Sequence, residues 1–183
     1  MSRELPCKVT ICQCVLEGQK MNDMLYCTAE MGVTDVVPVM SARVFGTARK
    51  QQGEAVRQRW QMTAKAFMRN SLREVYPIVH PTMDFAEAVK LAKDYDVAIL
   101  AYENESDPDC TRKAMEACKG AESIIVFIGP EQGLAPEEVE LAKSNGIQIV
   151  SLGKRIIRAV NAGAVLMGMI VYALELDGGG EHE

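Results

Sequence analysis

Apolar runs of five to nine residues alternate along this chain with segments of helical period, about one of each every twenty residues. Residues 8–16 (KVTICQCVL) are β-prone and apolar, and Gly18 closes them. Met21, Met24, Leu25, Thr28 and Met31 then recur at three- and four-residue steps, which predicts an amphipathic helix over 20–31 stopped by Gly32. Asp35–Val39 reads as a short strand and 54–69 as a helix. After Pro77 and Pro81, Asp84 with Glu87 three residues on forms a capping-box pattern that opens a helix to about Tyr95. Val97–Ala101 is a strand. Asp107-Pro108 supplies an N-cap and first helical residue, and Gly120 the stop. Ile124–Ile128 is the most strand-like run, β-branched and suited to burial on both faces. Pro136 opens a helix with Glu137 and Glu138 at its positive end, closed at Asn145-Gly146. Ile147–Leu152 is a further strand and 158–175 the last helix. Strand and helix in regular alternation predict an α/β domain with a largely parallel sheet.

Composition narrows the class. The 183 residues, 48% of them hydrophobic, suffice for one domain with a substantial core. Met1–Pro6 is short and polar, unlike a signal peptide. The apolar stretch 159–174 holds Asn161, Ala162, Gly163 and Ala164 and falls short of the roughly 20 residues that span a bilayer, so it reads as a buried or interface helix. The six cysteines (7, 12, 14, 27, 110 and 118) form no Cys-x-x-Cys pair, and the two histidines are His80 and His182. That pattern speaks against zinc and for free thiols packed as small apolar residues in a reducing cytoplasm. No metal and no membrane association are expected.

The net charge is −5, but it is uneven. From Arg43 to Arg73 eight cations (Arg43, Arg49, Lys50, Arg57, Arg59, Lys65, Arg69, Arg73) face one acid, Glu54, a local charge of +7 with Trp60 inside it. Such a stripe either binds phosphates or is a solvated helix face.

The candidate chemistry lies late in the chain. There is no G-x-G-x-x-G, no G-x-x-x-x-G-K-[ST] and no G-x-S-x-G. His80, flanked by Pro77 and Pro81, reads as structural or exposed. What remains is a Gly-Pro-Glu-Gln-Gly loop at 129–133 and a second strand-end loop, Leu152-Gly153-Lys154-Arg155. Ligands of open α/β sheets sit beyond the carboxyl ends of strands. Glycines at 129 and 133 permit backbone shapes that could offer N–H and C=O groups to an adenine edge. One such loop alone would equally be a plain strand-to-helix turn.

The run IIVFIGPEQGLAPEEVELAKSNGIQIVSLGKRIIRAVNAGAVLMGMIVYALE resembles the C-terminal half of the ribosomal small-subunit methyltransferase E family, of the SPOUT superfamily. That family shows IGPEGG, a strand ending in LG-x-R-[IV]-L-R, and T-E-T-A leading into the last helix. Upstream, VTICQCVLEGQKMNDMLYCTAEMGVTDVVPV is similar to its strand, G-x-K-M helix and E-L-G-V turn, and Ala101-Tyr102-Glu103-Asn104 to its P-Y-E-N. The likeness covers residues 8–176, between a tail at 1–7 and an acidic Gly-rich tail at 177–183 expected to fray; the family's N-terminal RNA-binding barrel is expected to be absent.

The resemblance implies a SPOUT-type, mostly parallel α/β sheet with helices on both faces and a C-terminal trefoil knot, a fold whose topology is a rare exception among chains. It implies a cytoplasmic homodimer, with Gly163 and Gly168 of the last helix suited to the interface. It implies S-adenosylmethionine as cofactor and transfer of its methyl group to N3 of a uridine in small-subunit ribosomal RNA. The cofactor would be lined by Leu100, Ala101 and Tyr102, by Ile128, Gly129, Pro130, Glu131 and Gly133, and by Ser151, Leu152, Gly153, Arg155, Ile156 and Ile157. Arg155 and Arg158 would hold the cofactor carboxylate or an RNA phosphate, or else sit in structural ion pairs. Arg158 and Glu131 are the catalytic candidates, Glu131 as the loop's only acid, unless its side chain points to solvent. Arg43, Arg57, Arg69 and Arg73 are the RNA-binding candidates.

Three positions depart from the family pattern. Gln132 replaces a glycine, and if that position requires a left-handed backbone the strain is roughly 1 kcal/mol or more. Arg158-Ala159-Val160-Asn161-Ala162 replaces R-T-E-T-A, and Asn70-Ser71-Leu72-Arg73 replaces Q-S-G-R. Scaffold kept and functional places altered predict either a weakened methyltransferase or a non-catalytic dimeric module of the same fold. An unrelated α/β enzyme for another nucleotide rests only on the strand pattern.

Overall fold

The computed structural model of this chain describes residues 2–67 and 71–177. Its described strands are β1 (Lys8–Cys14), β2 (Asp35–Met40), β3 (Ile78–Val79), β4 (Met83–Asp84), β5 (Val97–Ala101), β6 (Ser123–Ile128) and β7 (Gln148–Val150). All pair parallel in one sheet of order β3-β2-β1-β6-β5-β7, with β4 also on β2. The helices are α1 (Lys20–Glu30), α2 (Glu54–Phe67), α3 (Phe85–Ala88), α4 (Pro108–Cys118), α5 (Pro136–Ser144) and α6 (Ala159–Val171).

The apolar runs dictate this order. Every residue of β2, and all but the first of β1 and β6, is buried or nearly so, which demands cover on both faces. The sheet's centre is β1 beside β6, with Ile11 opposite Val126 and Cys12 opposite Phe127. On it α1 packs against both α2 and α6. Pro38 sits inside β2, where a missing N–H would normally break a ladder. It falls in the gap where β2 leaves β3 (paired at Asp35 and Val36) and has not yet met β4 (paired at Val39 and Met40).

Local chemistry sets most boundaries. Asp107 accepts the Asp109 N–H and Pro108 opens α4. Gly120 and Gly146 take left-handed φ values of +79° and +78° just past their helices. At α5, Glu138 accepts the Ala135 N–H and, through its other oxygen, the Ala42 N–H, tying the helix start to the segment after β2.

Three expectations need correction. The Asp84–Glu87 pattern does not build a regular helix to Tyr95. Asp84 belongs to β4 and makes no side-chain cap, α3 lasts one turn, and Val89–Asp94 winds as a tighter 3-10 helix. Trp60 is not interleaved with exposed cations; it is 1% exposed and belongs to the core under α2. Gly163 does not face outward, because a Cβ there would meet Ile11 Cδ1 at 3.0 Å and Thr28 Cγ2 at 3.4 Å within the same chain. The last helix continues through a π turn at Tyr172–Leu176, and Ala159–Leu176 is long and apolar enough to cross a membrane by length and composition, though a third of it is buried against the sheet and α1. The acidic tail expected to fray lies, beyond Asp177, outside the described residues.

Candidate functional site

Three loops leave the carboxyl ends of neighbouring strands and converge. Tyr102 and Glu103 follow Ala101, the last residue of β5; residues 128–133 close β6; Ser151 to Arg158 join β7 to α6. Together with Lys20 of α1 and Ala159, Val160 and Ala162 of α6 they line a cleft of about 560 Å³. A cleft of that size, at the strand ends of a parallel sheet, suits a ligand of nucleoside dimensions.

The 129–133 loop is shaped by its glycines and pinned from outside. Gly133 has φ +68°, and a Cβ there would lie 2.3 Å from Glu103 Oε1. A Cβ at Gly129 would meet Leu134 Cγ at 3.2 Å. Gln132, by contrast, is not among the positive-φ residues; among the described non-glycines Leu72 alone has that backbone. The expected strain at Gln132 is therefore not there. The turn uses Gly133, one residue later, for its left-handed step, and the Gly133 N–H returns to the Pro130 carbonyl at 3.0 Å. Gln132 lines the cleft, and its carbonyl accepts from Arg43 Nη1 at 3.3 Å.

Glu131 does not point freely into the cleft. Its Oε1 accepts the Glu17 N–H at 3.0 Å and pairs with Lys20 Nζ at 2.9 Å. Burial pushes its carboxyl up, but the Glu17 N–H and the Lys20 ammonium outweigh it and hold the group below its ordinary range. An acid held ionised in this way is a poor proton acceptor. Glu131 anchors the loop to the start of α1, an arrangement that speaks for an anchor rather than a base.

The arginines divide. Arg155 and Arg158 are exposed along the cleft, and among the described residues neither forms an ion pair. Arg158 also precedes the first turn of α6, and its carbonyl takes the Asn161 and Ala162 N–H groups. Arg43 stands against the cleft loop. Arg57 is committed to Glu54 and to the Val79 carbonyl, and its reach toward RNA is correspondingly reduced. Arg73 is not a surface cation at all: its side chain is 2% exposed, paired with Glu4 at 2.6 Å and donating to the Ala29 and Val33 carbonyls. Arg69 lies outside the described residues, as does Asn70.

Of the fourteen residues expected around the cofactor, Leu100 alone stays off the wall, buried inside β5 beside Phe127. Sequence reasoning missed Lys20, Glu103, Ala159, Val160 and Ala162, which also line the cleft. It also missed Gln13, whose amide reaches the Gly129 carbonyl. The one sequence signal for Gln13 was a long polar side chain between two cysteines in an otherwise apolar strand.

No cysteine lines the cleft. Cys12 and Cys14 lie buried in β1, where burial pushes both up, Cys14 to about 12, so they stay protonated. Among the described residues no three His, Cys, Asp or Glu side chains gather as a metal site.

A family model described as RNA methyltransferase domain matches residues 3–171. Ribosomal RNA small subunit methyltransferase E of Bacillus subtilis is 32% identical over 181 residues, covering 96% of this chain and 70% of that protein. Its namesake from Synechocystis is 30% identical, covering 94% of this chain and 55% of its own. In three dimensions, the ribosomal RNA small subunit methyltransferase E of Neisseria gonorrhoeae bound to S-adenosyl methionine is similar, with a TM-score of 0.76 and 27% identity over 92% of this chain and 67% of that one.

Proposed function

The chain belongs to the RNA methyltransferase domain family, and on that premise we propose that it transfers a methyl group from S-adenosylmethionine to ribosomal RNA, with N3 of a small-subunit uridine as acceptor. The observation that carries this reading is the three-loop cleft at the ends of β5, β6 and β7. Its residues fit the cofactor: Gly129 and Gly133 keep the loop thin where a Cβ would strike Leu134 or Glu103, and the wall around Ile128, Leu152 and Ile157 is apolar enough for an adenosine face. S-adenosylmethionine, when bound, supplies an electrophilic methyl group on its sulfonium.

The chain's own part is to bind, orient and attract. The 129–133 loop, held by Glu131 at one side and Arg43 at the other, gives a pre-shaped backbone surface, and pre-shaping lowers the entropic cost of a reactive pose. Arg155 and Arg158, unpaired and exposed at the mouth, draw a carboxylate or an RNA phosphate. An anion held by Arg158 would also meet the positive end of α6, whose first turn Arg158 precedes. The reading of a module that lost its cofactor rested on three altered stretches, and of these the strain at Gln132 is gone, since the backbone there is ordinary. The same membership supports a cytoplasmic homodimer with a knotted C-terminal segment, in a single domain spanning 8–176. Tyr172 and Leu176, 55% and 68% exposed on the last helix, suit its interface.

Isothermal titration of the purified protein with S-adenosylmethionine and S-adenosylhomocysteine tests the reading. Saturable binding at about micromolar Kd is expected, some 8 kcal/mol, followed by transfer of labelled methyl to small-subunit ribosomal RNA. A folded protein that releases no heat with either ligand overturns it.

Glu131→Gln separates anchor from base. The ion pair is partly exposed, so the loss is about 1 kcal/mol or less. Methyl transfer to RNA should fall by no more than about tenfold. A loss of a thousandfold or more would return Glu131 to the chemistry.

A further inference from the structure

Gln13 is a fully buried polar side chain beside the cleft loop, at 0% exposure. It stands at the end of β1 opposite Ile128, the residue that leads into the 129–133 loop. Its Nε2 donates to the Cys14 carbonyl at 3.0 Å and to the Gly129 carbonyl at 3.3 Å. Its Oε1 is buried without a partner. On the other side lies α6: a Cβ on Gly163 would come within 3.8 Å of that oxygen and 3.0 Å of Ile11 Cδ1. The carboxamide thus occupies the point where β1, the cleft loop and the last helix meet.

A buried amide with one orphaned oxygen is costly for folding alone. An apolar side chain of the same length would fill the space and remove the orphan. An apolar residue could reproduce neither donation, and of the two acceptors the Gly129 carbonyl is the one that belongs to the cleft loop. That carbonyl sets the direction in which the chain leaves β6, and so the plane of the loop that follows.

We propose that Gln13 is a positioning residue for the cofactor loop: its carboxamide fixes the Gly129 carbonyl and thereby holds the 129–133 backbone in the shape that receives S-adenosylmethionine. The proposal rests on the cofactor reading given above. It assigns Gln13 no contact with the cofactor or the RNA. A Cβ at 163 would press on Ile11 but reach the amide only at ordinary contact distance, so the glycine spares β1 rather than Gln13 itself.

The test uses Gln13→Leu and Gln13→Met in the full chain, read by titration with S-adenosylhomocysteine and by thermal unfolding without ligand. Both variants should unfold within a few degrees of the parent, because one orphaned buried acceptor goes while the Cys14 and Gly129 carbonyls lose their donor. Both should bind about five- to tenfold more weakly, the worth of one hydrogen bond. The methyl-transfer KM for the cofactor should rise by the same factor while the RNA KM stays level. Variants that bind S-adenosylhomocysteine as the parent does overturn the proposal. So does loss of folding in both variants, which would make the carboxamide a requirement of the fold rather than of the loop. A parent that fails to bind overturns the cofactor reading itself, so the two failures are told apart.

Discussion

Gly133→Val abolishes S-adenosylmethionine and S-adenosylhomocysteine uptake, titration heats falling to those of buffer, while the chain stays folded. Two effects add. The residue holds φ +68°, which costs an L-residue roughly 1–2 kcal/mol and a β-branched one more. Its new Cβ would also stand 2.3 Å from Glu103 Oε1, so the Glu103 side chain must swing away from its place on the cleft wall. The loop can escape the strain only by changing shape, and the changed shape is the ligand's surface. The core under it, Phe127 and Ile128 in β6, is untouched. Gly146→Ala is the control: it has φ +78° with open space around it, away from the cleft, and should cost similar backbone strain with no change in affinity. Equal binding by Gly133→Val and the parent would mean that the loop is not the pocket.

Arg73→Met unfolds roughly 10 °C below the parent, and per folded molecule it binds RNA and cofactor unchanged. The guanidinium, 2% exposed, ties its own segment to two others: it pairs with Glu4 near the N-terminus and donates to the Ala29 and Val33 carbonyls about the α1–β2 turn. Glu4 in turn accepts the Glu74 and Val75 N–H groups through its other oxygen. Removing one member of such a pair strands the rest, at about 3 kcal/mol, and a chain of this length loses about 2–4 °C per kcal/mol. The clasp also has a pH signature. Burial pushes the Glu4 carboxyl up, but Arg73 and the two N–H groups outweigh it and hold it below its ordinary value of 4.5. Its contribution is therefore complete above about pH 5 and fades as pH falls through the depressed folded-state value, below the ordinary carboxylate range. The parent should lose its advantage over Arg73→Met in acid. If Arg73→Met melts like the parent and instead loses RNA affinity, the cation serves the surface after all.

What could be read from the chain, and what could not, follows from the range of each interaction. The Asp107-Pro108 cap, the strand Val97–Ala101 and the glycine stop at 146 are decided within a few residues, and they stand as expected. The Asp84 cap failed for the opposite reason: pairing of Met83 and Asp84 with Val39 and Met40, over forty residues away, took the backbone into a strand. At the cleft, glycines and strand ends showed where the loops would be. The contacts that fix them were invisible, since Lys20 to Glu131 and Gln13 to Gly129 each span more than a hundred residues. Charge misled at Arg73, because a cation in a basic stretch looks like its neighbours until its partner Glu4 is seen.

The pairing of β1 with β6 has a consequence for how the chain reaches its native state. Lys8 meets Ser123, and Gln13 meets Ile128, so the middle of the sheet joins residues 115 apart in sequence. Closing a loop of that length must come before the contacts that reward it, which slows folding and raises contact order. During synthesis β1 and β2 can pair early through α1, but the far side of β1 stays open until β6 has left the ribosome. For that interval an apolar edge, Val9 to Cys14, waits for a strand supplied two thirds of the way along the chain. Exposure of such an edge is a route to misassembly, and the nascent chain is most vulnerable in that window.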